Sequence, residues 1–190
     1  MSERGNWFLG LRVEAPELRV RDAPEAVRVF VPEDWHLTVI FLGACGSALA
    51  HEVFEAIEDF AFPGFDAQLG EVVPMGNPRR YSALSALLSE GRDEVEAWMQ
   101  EARQRAEAAL LASADPQAKS VRLDRRPVKA HLTFARPQRK ASDAQREAAL
   151  QWGCSLPTPG VAVRLPSLAL YAWSEDRAQR LFQIVRERSG

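Results

Sequence analysis

Two short phrases in the chain carry residues that could do acid–base chemistry together. His36-Leu37-Thr38-Val39 and His131-Leu132-Thr133-Phe134 both read histidine, leucine, threonine and then a β-forming residue, and they lie half the 190-residue chain apart. They use two of only three histidines. On a β-strand, side chains at i and i+2 share one face. Each phrase therefore sets an imidazole beside a hydroxyl. Two such pairs facing one cleft supply an acid, a base and two neutral hydrogen-bond donors. The ordinary histidine pKa near 6.5 lets one ring be protonated while the other is neutral. That set suits in-line attack on the phosphorus of a phosphodiester, with water deprotonated on one side and the leaving oxygen protonated on the other. No His-x-x-x-His or Asp-rich pattern accompanies the pairs, so neither a metal nor another cofactor is expected.

The elements that must position these phrases follow from periodicity and punctuation. Trp7 to Val13 alternates like a strand. Pro16 to Val29 reads as a short helix starting with an early proline, with Pro24 a possible break. Pro32-Glu33-Asp34 is a turn. His36 to Leu42 is an apolar, central strand closed by Gly43 and Gly46. Ser47 caps a helix with Leu49, Val53, Ile57 and Phe60 on its stripe, and His51 lies off that stripe as a surface residue. Phe65 to Met75 and Tyr81 to Leu88 read as strands joined through the turn signal Gly76-Asn77-Pro78. Asp93 to Glu96 has the form of a capping box. It opens a long helix buried through Val95, Trp98, Met99, Ala102, Ala106 and Leu110 and closed before Pro116. His131 begins a second strand ending at Pro137, and Ser142 to Gln145 is a further capping box for a helix to about Trp152. Val161 to Trp173 is a strand or strand pair with Pro166 at a bulge or edge. Gln179 to Arg188 is a strand or a helix.

Each half thus runs strand, helix, histidine strand, helix, strand. The expectation is one α+β domain over residues 1–190. It consists of two pseudo-symmetric lobes with mainly antiparallel sheets and helices, and the active site lies in the groove between them.

Composition narrows the partners. The apolar fraction of 46% suits a globular protein, and a net charge of −2 excludes a general polyanion binder. Charge is uneven, however: Lys119 to Lys140 holds eight Lys/Arg and one acid, Asp124. This stretch brackets His131 and could attract a phosphate backbone or be a solvated loop. Cys45 and Cys154 have no metal-ligand spacing, and reduced thiols in the cytoplasm are the expectation. No stretch approaches membrane-spanning length, and the polar Met1 to Asn6 lacks a signal-peptide core, so no membrane contact is expected.

On these residues the sequence resembles the 2H phosphoesterase superfamily, and within it the bacterial RNA 2′,3′-cyclic phosphodiesterases, also called 2′-5′ RNA ligases. The matching phrases are Phe8-Leu9-Gly10-Leu11, Pro32 to Gly43, His131 to Arg136 and Leu170-Tyr171. Departures fall at Trp35, at Lys129-Ala130 and from Ser174 to Arg180. The resemblance implies metal-independent hydrolysis of RNA or nucleoside 2′,3′-cyclic phosphates to 2′-phosphates by a monomer, with reversible 2′-5′ RNA ligation as an added activity. It implies His36 as general acid, His131 as general base, and Thr38, Thr133 and Arg136 as phosphate ligands. A 2′-5′ oligonucleotide phosphodiesterase and a non-catalytic RNA-end-binding module are the alternatives.

Strict alternation disagrees with the resemblance at Arg136, putting it on the face opposite His131. A buried unpaired guanidinium would be costly there. Because Pro137 ends the regular strand, Arg136 is expected to curl round its end into the groove. Phe41 has the same parity after His36 and is read first as core, with base stacking the lesser reading.

Overall fold

In a computed structural model, residues 5–77 and 80–190 are described. Residues 1–4 and Pro78, the last residue of the predicted turn, lie outside them. The strands are β1 (Trp7–Arg12), β2 (Val27–Val29), β3 (His36–Gly43), β4 (Phe65–Asn77), β5 (Arg80–Leu88), β6 (His131–Pro137), β7 (Ala162–Leu165), β8 (Ser167–Trp173) and β9 (Phe182–Ser189). The helices are α1 (Ser47–Glu55), α2 (Arg92–Ala112) and α3 (Asp143–Ser155). One sheet has the order β3-β1-β8-β9 and the other β2-β6-β5-β4-β7. Neighbouring strands pair antiparallel throughout. The fold is α+β with two antiparallel sheets, as the sequence implies.

The central strands are the most apolar. Trp7, Phe8, Leu9 and Leu11 of β1 and Leu168 to Tyr171 of β8 are buried, because α1 covers one side of their sheet. Helix α2 buries the stripe read from its sequence, Val95 through Leu110, against β3 and α1. Helix α3 packs on β4, β5 and β6, and its Ser142–Gln145 capping box forms as expected. Pro166 is where the chain changes sheets: β7 pairs with β4 and β8 with β1. A residue without an N–H cannot continue a ladder, so the strand pair breaks there. Strand β9 decides the last ambiguous segment.

Several sequence expectations fail locally. Pro16 to Val29 is not a helix. It runs as turns and ends in β2, and Asp22 sits at φ 54, in the left-handed region that a helix excludes. Helix α1 has Gly46 rather than Ser47 at its N-cap, and α2 follows the left-handed Gly91 with no side-chain cap from Asp93. A Cβ on Gly91 would meet Asp66 O at 2.9 Å, which fixes glycine as the entry residue. The halves of the chain are not the lobes either. β2 and β4 from the first half join the second sheet, while β8 and β9 return to the first. What survives of the repeat is the pairing around the histidines: β1 beside β3, and β5 beside β6. Strands β3 and β6 come from different sheets and lie against each other at the seam.

Candidate active site

At the seam a groove of about 820 Å³ is lined by His36, Thr38, Phe41, His131, Thr133 and Arg136, among others. All five residues singled out for chemistry therefore meet in one place, together with one read as core.

The two histidine strands match in detail. Within each, histidine and threonine are half-buried and the leucine between them is fully buried. Then the alternation slips. Leu9 pairs with Ile40 and Gly10 with Thr38, leaving Val39 as an extra residue. Leu84 pairs with Ala135 and Ser85 with Thr133, leaving Phe134 as an extra residue. Each is a β-bulge, which adds one residue and reverses the parity of the residues beyond it. The fifth residue after each histidine is thereby returned to the groove face. These are Phe41, which is 50% exposed, and Arg136, also exposed. The reading of Phe41 as core is corrected: strict alternation cannot foresee a bulge. Arg136 does reach the groove, but a bulge three residues before Pro137 takes it there rather than a curl at the strand end.

Both imidazoles are held in the same way. His36 Nδ1 lies 2.7 Å from Asp34 O, and His131 Nδ1 lies 2.7 Å from Lys129 O. A carbonyl oxygen only accepts, so each Nδ1 carries a proton and donates it. The neutral rings are therefore Nδ1–H tautomers, each keeping its lone pair on Nε2.

Their surroundings differ. His36 packs among Phe8, Tyr171 and Phe182, with ring centroids 4.6, 5.2 and 5.1 Å away. Burial pushes its pKa down to about 4; the Asp34 carbonyl opposes this, and the charges of Arg136 and His131 add to it. Gly10 lies beneath, where a Cβ would meet Leu37 O at 3.0 Å and His36 Cδ2 at 3.5 Å. The cage is tied down by Asp34, whose buried carboxylate accepts N–H bonds of 2.8–2.9 Å from Leu181 and Phe182 at the start of β9. His131 is also lowered, first by burial. The Lys129 carbonyl raises it, the charges of Lys129 and Arg126 lower it, and Glu96 raises it.

Thr133 Oγ1 is 2.8 Å from the hydroxyl of Ser85, which is fully buried on β5. Arg136 stands over the Phe30 ring at 5.3 Å. Desolvation and the nearby Arg177 and Arg28 push its guanidinium below the ordinary value. Arg28 hydrogen-bonds the Arg177 carbonyl and pairs with Arg136 across β2 and β6. The basic connector borders the groove. Arg103 on α2 donates to Val39 O and Arg126 O, both at 3.0 Å, and Arg126 and Lys129 line the groove.

Sequence reasoning missed Asp34, Ser85 and Glu96. The last two sit in ordinary strand and helix patterns and have meaning only through register and packing. Asp34 was visible as part of a turn, but a polar residue beside Pro32 gave no hint of burial. His51 is outside the groove, its Nδ1 2.8 Å from Ser47 O and its ring on the edge of Trp7. Among the described residues no group of three or more His, Cys, Asp or Glu side chains could hold a metal ion, and no helix is long and apolar enough to cross a membrane.

The chain shares its fold with E. coli LigT. The LigT structure with 3′-AMP covers 97% of each chain with a TM-score of 0.66 at 17% identity. TT0787 of Thermus thermophilus gives 97% of each chain, 0.66 and 15%. A crystal structure of a phosphoesterase gives 98% of each chain, 0.62 and 17%. LigT has also been solved with NADP+ and with ATP. No protein-family profile and no curated protein matches the sequence.

Proposed function

We propose that the protein is a 2H phosphoesterase that hydrolyses RNA or nucleoside 2′,3′-cyclic phosphate ends to 2′-phosphates. One observation carries this reading. Two equivalent strands present two imidazoles to one groove, each with Nδ1 tied to the carbonyl two residues before it and Nε2 left for chemistry. The phosphoesterase among the fold neighbours and the nucleotides bound by LigT support it.

In this scheme a water is deprotonated by His131 Nε2 and attacks phosphorus. A P–O bond to water forms, the bond to the 3′ oxygen breaks, and His36 Nε2–H protonates that oxygen. The products are a 2′-phosphate and a free 3′-hydroxyl, and the two rings have exchanged protonation states. Thr38, Thr133 and the forked guanidinium of Arg136 hold the non-bridging oxygens. Phe41 offers a ring face to the nucleobase. The differing environments suit the roles: an imidazolium of low pKa gives up its proton readily, and a ring supported by a carboxylate accepts one more readily. Ligation to a 2′-5′ linkage is the same displacement with a 5′-hydroxyl in place of water, and it reverses when the 3′-hydroxyl attacks that linkage. The reading places the protein in the cytoplasm, as a monomer. A free thiol at Cys45 and another at Cys154 suit that compartment.

The test is product analysis on an RNA with a 2′,3′-cyclic phosphate end. The expected product is the 2′-phosphate alone. Cleavage only of 2′-5′ linked oligonucleotides would move the protein to the neighbouring activity. Binding without turnover would make it an RNA-end-binding module.

A further inference from the structure

The two histidines are matched through their first hydrogen bond and differ at the second. The carbonyl that accepts from His131 Nδ1 belongs to the peptide joining Lys129 and Ala130. The N–H of that same peptide, on Ala130, donates to Glu96 Oε1 at 2.9 Å. The chain therefore runs imidazole, peptide, carboxylate. At the other site, His36 Nδ1 donates to the Asp34 carbonyl, and the N–H of that peptide, on Trp35, donates to the neutral Pro32 carbonyl at 3.1 Å. Hydrogen bonds in series polarise one another, and a charged acceptor at the end strengthens the chain. Only the His131 chain ends on a charge.

Glu96 is well placed for this. It lies on the first turns of α2, between the buried Val95 and Met99, and its side chain is 22% exposed at the groove wall. Arg92 Nε shares the same oxygen at 2.9 Å and dilutes its charge. Ala130 is fully buried, and its own carbonyl, on the following peptide, accepts from Leu88 N–H on β5, which anchors the Ala130 end of the bridge.

We propose that Glu96 is a positioning residue which, acting through the Lys129–Ala130 peptide, orients His131 and makes it the proton acceptor of the pair. This rests on the hydrolytic reading above and adds what breaks the symmetry of its two histidines. The other charges acting on His131 are Lys129 and Arg126 from the connector and His36 across the groove. Apart from Glu96 these are cations or, in His36, a ring that can become one, and they oppose protonation of His131.

Two variants of the full chain test the proposal with opposite signs. Glu96→Gln keeps an oxygen for the Ala130 N–H and removes the charge. Arg92→Gln leaves the carboxylate to the peptide alone. The readout is an NMR titration of the imidazole signals, assigned by single histidine substitutions, beside kinetics on uridine 2′,3′-cyclic phosphate. Glu96→Gln should lower the titration midpoint of His131 by about half a pH unit and leave that of His36 in place. It should reduce kcat about threefold to tenfold at unchanged KM, and move the limb of kcat/KM set by His131 to lower pH. Arg92→Gln should raise the His131 midpoint. If both variants titrate like the parent, or if Glu96→Ala merely lowers Tm without moving His131, the carboxylate is only a strut for the connector and the proposal is overturned. Absence of turnover in the parent would instead defeat the hydrolytic reading, and the titration would still decide the role of Glu96.

Discussion

The aromatic cage around His36 makes substrate binding a proton-uptake event. With a pKa near 4, about one free molecule in a thousand carries a proton on His36 at pH 7. The general acid of the proposed scheme must be protonated. A phosphodiester anion against Nε2 supplies the missing opposite charge and raises the ring towards its ordinary value near 6.5. That shift corresponds to about 3 kcal/mol of coupling between anion and proton. Between pH 6.5 and about 4 the bound state then holds a proton that the free state lacks, so affinity must rise as pH falls. The slope approaches about tenfold per pH unit within that window and flattens outside it. The assay is calorimetric binding of uridine 2′,3′-cyclic phosphate to the His131→Ala variant, which leaves His36 as the titrating histidine of the groove and slows turnover at least about 10²-fold. The single charge of this ligand does not change in the window. Buffers of different ionisation enthalpy should report uptake approaching one proton near pH 5. A Kd that does not change between pH 6.5 and 4.5 would refute the reasoning, as would equal slopes in the His36→Gln/His131→Ala double variant.

The same shift has a consequence for stability. The folded state favours neutral His36, so its contribution is present above pH 6.5 and is lost as pH falls towards 4. Denaturant melts at pH 7 and pH 4 should show His36→Gln losing less stability on acidification than the parent, by up to about 3 kcal/mol; an equal loss would count against the buried ring. Asp34→Ala removes the acceptor of two buried N–H groups, of Leu181 and of Phe182 at the start of β9, and should cost about 3 kcal/mol in chemical denaturation. It should also reduce kcat by loosening Phe182 against His36; an unchanged melt would show that the clamp carries no weight. Arg136 has no carboxylate partner among the described residues, so Arg136→Ala should reduce turnover with Tm unchanged. Arg136→Lys should recover only part, since an ammonium cannot fork onto two phosphate oxygens. A lowered Tm with full activity would make Arg136 structural.

The histidine strands, the α2 stripe and the capping box of α3 were legible because each is a local pattern: a period, or a residue pair at fixed spacing. The helix expected over Pro16 to Val29 failed because its residues answer to distant partners. Trp152 Nε1–H donates to Arg21 O, and β2 adds to β6, 110 residues on in the chain. Register was the second obstacle. Nothing in Val39-Ile40 or Phe134-Ala135 announces a bulge, yet the two bulges decide that Phe41 and Arg136 face the groove. The resemblance named Arg136 where parity denied it, and the bulge reconciles them. The environments that make the histidines unequal come from Phe8, Tyr171, Phe182 and Glu96, residues whose roles exist only once the sheets and α2 have packed.

The central claim is that two histidines in one groove act as a single acid–base unit. The most direct test is the rate of uridine 2′,3′-cyclic phosphate hydrolysis by His36→Ala, His131→Ala and the double variant. Each single variant should lose at least about 10²-fold, near 2.7 kcal/mol of barrier, and the double should be little slower than the worse single. Full activity in either single variant, or losses that multiply in the double, would contradict the account.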